Sequence, residues 1–366
     1  MPYIIGLCLL LLAPLTHADY RLDTVADNLA YPRSMAFLPD GSYLVAERDG
    51  ALRRLSADGT LSEPLENSPA TFADSQSGYF DVILDPDFSN NNTLYVSLTH
   101  GNNSANATRI VRAQLQQNRL TAVESIFTTA PTKDTTAHNG GRMLTLPDGT
   151  LLLTTGDGFD YREAAQDTFS QLGKTIRINT DGSVPADNPF VDGKEGNANV
   201  WSWGHRNPQG LALDPATNIV YMHEHGAKGG DELNRIERGK NYGWPLANYG
   251  SNYSGAYVSP FQTLPNIEPP LTYWVPSIAP SGLALYHGDA FPEWQGDLFV
   301  GGLASKDVRR LDMVDGKVKT EEILFSEIGE RIRDIRTGPD GFLYIITDSA
   351  AGKIIRVVPA TDSTTR

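Results

Sequence analysis

Apolar and polar positions along the chain alternate in short runs bounded by turn residues, and no long helical periodicity stands out. The runs recur as one unit. An apolar pair leads into Pro-Asp-Gly or a relative of it; then come a strand rich in β-branched residues, Leu or Tyr, a turn, and a strand ending in Arg. Copies begin at Met35 (MAFLPDGSYLVAERDGALRRL), Val82, Met143 (MLTLPDGTLLLTTGDG), Leu211, Leu283 and Ile335. In such a turn Pro presets φ, Asp bonds back to the backbone and Gly accepts a positive φ, so each copy predicts an antiparallel meander. One meander cannot bury both its faces alone. Six in series predict an all-β fold, a six-bladed β-propeller of four-stranded antiparallel blades. The last copy supplies only about three strands, and Tyr20–Leu29 (YRLDTVADNL) is the candidate fourth that closes the ring and removes an open edge. An open β-sandwich would not explain six copies of one turn signal. No Pro/Gly/Ser linker divides the chain, so residues 19–366 are expected to form a single domain. Its long insertions, at 128–142, 157–206, 226–282 and 303–334, are the expected functional loops.

Residues 1–18 (MPYIIGLCLLLLAPLTHA) break the pattern with an apolar run from Ile4 to Leu12, interrupted by Gly6. The run is too short to span a bilayer. Small residues at Thr16 and Ala18 suit cleavage after Ala18, so the segment reads as a signal peptide, although a positively charged start is missing. Periplasmic export without membrane insertion is the expectation. The only cysteine, Cys8, lies in that segment, which leaves no thiol for disulfides or Cys chemistry downstream. Across 366 residues, 30 Lys and Arg stand against 44 Asp and Glu, a formal net charge of −14. That balance argues against nucleic acid or an anionic membrane as partner, but leaves room for a small basic pocket inside an acidic shell.

In a propeller the loops at the inner-strand ends converge on a central mouth, so polar groups beside the repeat are the candidates for chemistry. His138, in HNGGR, could take a proton from an alcohol near neutral pH. Asp157, in TTGDG, ends the next strand of the same blade and could hold that imidazole in one tautomer. Arg206 and Asn207, in WGHRNPQGL, precede a turn-fixing proline. The stretch Glu224–Pro245 offers main-chain carbonyls on a Gly-rich turn together with Asp231, Glu232 and Asn234, oxygen ligands of the kind a hard cation takes. Lys306, Arg331 and Arg333 form a late cationic group, and two arginines at i and i+2 lie on one face of a strand. Like charges so placed are unfavourable unless an anion sits between them, which implies an acidic ligand.

The motifs H-x-G-G-R, T-G-D, G-x-R-N-P-Q-G, E-x-G…D-E-x-N…G-x-N-Y-G-W-P, P-S-G-L and R-x-R-D…P-D-G occur here in that order. Together they resemble the soluble quinoprotein glucose/sorbosone dehydrogenase family, and within it the periplasmic aldose sugar dehydrogenase branch. The resemblance spans nearly the whole chain after the signal segment. It implies a six-bladed propeller that uses pyrroloquinoline quinone (PQQ) and calcium to oxidise an aldose sugar at C1 to the lactone, passing electrons to an external acceptor. By that resemblance His138 is the general base, Asp157 orients it, and Gln76 stands at the sugar and quinone end. Arg206 and Asn207 hold the quinone carbonyls. Lys306, Arg331 and Arg333 bind the cofactor's carboxylates, and the carbonyls of Gly226 and Ala227 bind calcium. The glycines after His138 would let the backbone pass close to a flat cofactor. The Pro276–Gly288 loop would lie above it, with Tyr273 and Trp274 as candidate walls for the sugar. Ala137 stands where glucose-preferring members carry Asp, which points to a broad aldose range; separately, a monomer or homodimer is expected. Two other classes compete: a lactonase propeller with an axial metal held by carboxylates, and a non-catalytic binding propeller, which would not need the His138–Asp157 pair.

Overall fold

The repeated turn closes alike wherever Pro-Asp-Gly stands. At Leu38–Ser42 the Leu38 amide donates to the Ser42 carbonyl, Asp40 accepts from the Ser42 amide and Gly41 sits at φ +83°. Leu146–Thr150 and Gly338–Phe342 repeat the arrangement, with Asp148 and Asp340 in the same role. The structure, a computed structural model, describes residues 19–360. The signal expected at 1–18 lies outside the described residues.

Among the described residues the strands form six four-stranded antiparallel sheets. Blade 1 runs Pro32–Phe37, Tyr43–Glu47, Leu52–Leu55 and Leu61–Pro64; blade 2 runs Tyr79–Leu84, Thr93–Asn102, Ala105–Gln116 and Arg119–Thr128. Blade 3 comprises Gly140–Thr145, Leu151–Thr155, Lys174–Ile178 and Val200–Trp203, and blade 4 Pro208–Asp214, Ile219–Glu224, Asp231–Ile236 and Thr272–Trp274. Blade 5 comprises Pro280–Leu285, Leu298–Gly302, Val308–Val314 and Lys317–Leu324. Blade 6 supplies Ile332–Thr337, Leu343–Thr347 and Gly352–Pro359, and its outermost strand is Tyr20–Leu29, paired from Tyr20 opposite Pro359 to Leu29 opposite Gly352. The first strand of each blade neighbours the first strands of the next and previous blades, and blade 6 meets blade 1, so the ring is closed.

Apolar clusters lie between blades rather than within them. Leu44 and Ala46 pack with Val82 and Val96 between blades 1 and 2, and Met35 and Val45 with Ile346 and Ile354 between blades 6 and 1. Phe299 and Ile335 join blades 5 and 6, where Trp294 is fully buried. Each such Leu, Val, Ile, Met or Phe side chain contributes roughly 1.5–3 kcal/mol only because the neighbouring blade covers it. That is why the meander must repeat.

One irregularity also repeats, and it shapes the mouth. In blades 1, 2, 4 and 6 the register of the inner strand skips one residue near its start: Arg33, Phe80, Gln209 and Arg333. A bulge leaves its extra residue out of the ladder and re-aims the side chain. All four of these residues line one cavity on the axis.

Candidate active site

Arginine closes the cavity floor. Arg142, from the inner strand of blade 3, donates to the carbonyls of Gln209 (2.9 Å), Arg33 (3.3 Å) and Arg333 (3.2 Å), tying blades 4, 1 and 6. Beside it Asp81 and Asp334 are bridged by Arg336, at 2.7 and 2.8 Å. Two acids and two arginines balance there.

Above this floor the cavity holds about 300 Å³ and the balance fails. Arg33, Arg48, Arg331 and Arg333 line it, against the single carboxylate of Asp348. Asp348 Oδ2 accepts from Arg333 Nη2 (2.8 Å) and Arg331 Nε (3.2 Å). Burial raises the Asp348 carboxyl, but Arg333, Arg33 and Arg331 outweigh it and hold the group at about 2. The anion demanded by the Arg331–Arg333 spacing is thus met in part from within the chain. It is not met fully: Nε of Arg33 and of Arg333 are buried without a hydrogen-bond partner. Lys306 stands apart from this group. It is exposed and does not line the cavity, although Leu303 on the same turn does.

His138 and Asp157 meet in blade 3; neither lines the cavity, although Asn139 and Gly140, which follow His138, do. The His138 Nδ1 to Asp157 Oδ1 distance is 2.7 Å, and both side chains are buried. Asp157 Oδ1 also accepts from the Phe159 amide and its Oδ2 from Trp244 Nε1, each at 2.8 Å. These two donors fix the carboxylate as an acceptor, so His138 Nδ1 carries its proton toward it. Nε2 is left as a lone-pair acceptor with no hydrogen bond among the described residues. Burial draws the imidazole below its usual 6.5; Asp157 pulls it back up, while Arg206 and Lys133 lower it further. A neutral imidazole with a directed lone pair is what a general base requires.

The main chain at His138 is unusual and built to be so. His138 has φ +48°, its amide donates to Gln76 Oε1 (3.0 Å), and Gln76 lines the cavity. The two glycines that follow answer to protein neighbours. A Cβ on Gly141 would come within 2.4 Å of the Phe80 ring, and one on Gly140 within 2.7 Å of the Thr154 carbonyl. Packing of blade 3 on blade 2 thus demands Gly141; only Gly140 also borders the cavity.

Arg206 does not line the axial cavity; it lines two other clefts. Its Nη1 donates to the carbonyls of His225 (3.2 Å) and Gly226, and its guanidinium stands 5.2 Å from the Trp244 ring centroid. Asn207, 2 % exposed, lines the axial cavity. The acids of the Gly-rich stretch have other work, which corrects their reading as cation ligands. Asp231 Oδ1 accepts from the Gly226 amide, and Oδ2 from the Ser277 hydroxyl and the Ile278 and Ala279 amides. Glu232 is held well above the carboxylate range by burial and then by the charge of Glu224. Asn234 Nδ2 lies 3.3 Å from Glu232 and 3.5 Å from Glu224. Among the described residues no cluster of three or more His, Cys, Asp or Glu is arranged to hold a metal.

Trp274 is not a pocket wall. It is buried, and its Nε1 donates to Glu321 (3.0 Å). Tyr273 is half exposed but stacks on Tyr249 at 4.0 Å. Of the Pro276–Gly288 stretch, Ala279 alone borders the cavity; Pro280–Leu285 is the inner strand of blade 5. The exposed aromatic surface beside the base comes instead from Phe159, edge-on to His138 at 5.0 Å, and Tyr253, stacked on Phe159 at 6.5 Å. Together with Arg206, Trp244 and Asn252 they line a second cleft of about 370 Å³. No sequence signal marked Phe159, Trp244, Arg33, Arg48 or Asp348. Trp244 stood in a quoted motif without a role.

A family model described as Glucose / Sorbosone dehydrogenase matches residues 29–356. The aldose sugar dehydrogenase YliI of Escherichia coli is 38 % identical over 348 residues, covering 93 % of this chain and 94 % of that protein. The crystal structure of the soluble aldose sugar dehydrogenase from Escherichia coli in its apo-form superposes with a TM-score of 0.90 at 38 % identity, covering 93 % of this chain and 99 % of that one. The PQQ-bound aldose sugar dehydrogenase from Streptomyces coelicolor superposes at 0.77 with 28 % identity, covering 93 % and 99 %. Blade count, ring closure and a match across almost the entire described chain agree: this protein belongs to the glucose/sorbosone dehydrogenase family.

Proposed function

We propose that the chain oxidises aldose sugars at C1 to the lactone, using PQQ, with His138 as general base. The observation that carries this reading is the His138–Asp157 pair, its Nε2 free, beside a cavity whose arginines outnumber its acids. The cavity suits a flat polycarboxylate: Arg333 Nε is a buried donor without a partner, and Arg331 and Arg333 share one aspartate. PQQ, when bound, supplies the acceptor for the hydride that leaves C1 and hands the electrons on to an external acceptor.

The chain's own residues do the rest. His138 Nε2 takes the proton of the C1 hydroxyl, and Asp157 stabilises the imidazolium that results. Gln76 and Asn207 hold the cavity face next to the base, and Arg331 and Arg333 anchor carboxylates; Lys306, which does not line the cavity, is given no role. Arg206 places positive charge where negative charge builds up during the reaction, a transition-state effect. The sugar enters from the Phe159–Tyr253 side, where its C–H faces pack on the rings. For calcium the fit is partial. The carbonyls of Gly226 and Ala227 are hard oxygens, but Gly226 already accepts from Arg206, and no step is assigned to the metal.

We read residues 19–366 as one catalytic unit, exported by the leading 18 residues; among the described residues no helix is long and apolar enough to cross a membrane. The lactonase reading requires unpaired axial carboxylates, whereas Asp81 and Asp334 are paired with Arg336. The test is dye-linked oxidation of an aldose panel by the purified chain, with and without PQQ and calcium. Activity that requires PQQ supports the proposal. A folded chain that stays inactive with both added overturns it.

A further inference from the structure

The electrostatics of the axial cavity point to a residue that neither the motifs nor the resemblance supplied. Arg33 is the bulge residue of the blade 1 inner strand, as Arg333 is of blade 6: Pro32 pairs with Glu47 and Ser34 with Ala46, while Ile332 pairs with Thr347 and Asp334 with Ile346. The same local device in adjacent blades turns both guanidinium groups into one cavity.

Arg33 is poorly compensated there. It is 9 % exposed, its side chain makes a long 3.4 Å contact from Nη2 to the Gln76 carbonyl, and its Nε is buried without a hydrogen-bond partner among the described residues. The charged groups facing it are Arg333, Arg48 and Arg142, which repel, and Asp348, which attracts but is already hydrogen-bonded to Arg331 and Arg333. Burial and then these like charges depress its proton affinity well below that of a free arginine. A buried cation with an idle donor is costly unless something negative completes it. Arg142 on the same axis differs in its charge balance: three backbone carbonyls accept from its Nε and Nη2, and although its Nη1 also lacks a hydrogen bond, Asp334 and Asp81 lie 3.3 and 3.7 Å from that atom.

We propose that Arg33 is an anion-anchoring residue of the cavity, donating through Nε to a carboxylate of a bound polycarboxylate together with Arg333. The inference rests on the cofactor reading above for the identity of that ligand, but its chemistry, a planar multivalent carboxylate, comes from the cavity itself. Guanidinium groups suit this task because their fork matches a carboxylate, whose negative charge would in turn favour the protonated Arg33. Arg33 acts on binding and is not a catalytic residue.

The experiment titrates the ligand-free chain with PQQ, and separately with 1,3,5-benzenetricarboxylate, following tryptophan fluorescence. Wild type is compared with Arg33→Met, which keeps much of the apolar stem, and with Arg33→Lys. The melting temperature of each ligand-free variant is recorded alongside. The expected result is a rise in the PQQ dissociation constant of at least about tenfold in Arg33→Met, with partial recovery in Arg33→Lys. The ligand-free melting temperature should hold or rise, because the substitution removes an uncompensated buried charge. A residue that only props up the fold would instead lower it. Equal PQQ affinity in wild type and Arg33→Met overturns the assignment and leaves the cofactor reading standing. A wild type that binds the benzenetricarboxylate through Arg33 but not PQQ supports the assignment and sinks the cofactor reading.

Discussion

Among the described residues Asp348 is the only acid lining the axial cavity, so its removal is the sharpest perturbation of the charge balance there. Asp348→Asn keeps the shape and deletes the charge. The native carboxyl sits at about 2 against an ordinary 3.8: burial alone would raise it, and Arg333, Arg33 and Arg331 more than reverse that. The gap corresponds to about 2 kcal/mol of stability. Because the folded-state value is depressed, this contribution is fully present above pH 3.8 and is lost as pH falls through about 2. For a chain of this size it amounts to a melting temperature lowered by about 3 °C near pH 7. The assay is thermal unfolding of wild type and variant near pH 7, 5 and 3.5, in buffers without multivalent anions. The difference should be constant at the two higher pH values and smaller at the lowest. Added benzenetricarboxylate should raise the variant's melting temperature more than the wild type's, since the variant has nothing left between its arginines. A variant as stable as wild type near pH 7, or a difference that ignores pH, would refute the reasoning.

Three further outcomes are expected. Asp157→Asn presents an amide where His138 Nδ1 and Trp244 Nε1 both donate, so one contact breaks; kcat of the PQQ-loaded chain should fall by on the order of 10²- to 10⁴-fold while PQQ affinity holds, as steady-state kinetics and titration would show. The acid limb of the kcat/KM profile should lie below pH 6.5, because a buried His138 must be neutral to act, and Lys133→Met should move that limb upward by removing a nearby positive charge; a profile unmoved by the substitution counts against His138 as the titrating base. Phe159→Ala should raise KM for aldoses several-fold, on the order of 1 kcal/mol of lost apolar contact, with kcat nearly unchanged in the same dye-linked assay.

What was legible in the sequence follows from how local each feature is. The blades could be counted because the Pro-Asp-Gly turns are spelled out by neighbouring residues: Asp40, Asp148 and Asp340 each bond the amide two positions on. Blades 2, 4 and 5 lack Pro-Asp-Gly, blades 2 and 5 using short helices at Phe88–Asn91 and Pro292–Trp294, yet their strands still followed the pattern. Ring closure by Tyr20–Leu29 was legible because three strands at one end required a fourth. His138 and Asp157 stood out as polar residues on a turn and a strand end, and the structure brings them to 2.7 Å. Arg33 was hidden for a different reason. Whether a residue enters the ladder or bulges into the cavity depends on register, and no neighbour of Arg33 announces the skip between Pro32 and Ser34. Asp231 was misread because acids near glycines suit a cation as well as they suit backbone amides; only the fold, which brings Ser277–Ala279 to it across 46 residues or more, decides.

In the proposed function His138 is the base on a sugar whose acceptor lies in the arginine-rich cavity. The most direct test is rapid mixing of PQQ-loaded wild type and His138→Gln with glucose, following the quinone absorbance. Equal PQQ affinity is expected in the two chains, with quinone reduction slowed by about a thousandfold or more in the variant. Reduction at nearly the wild-type rate in a fully loaded His138→Gln chain would contradict it.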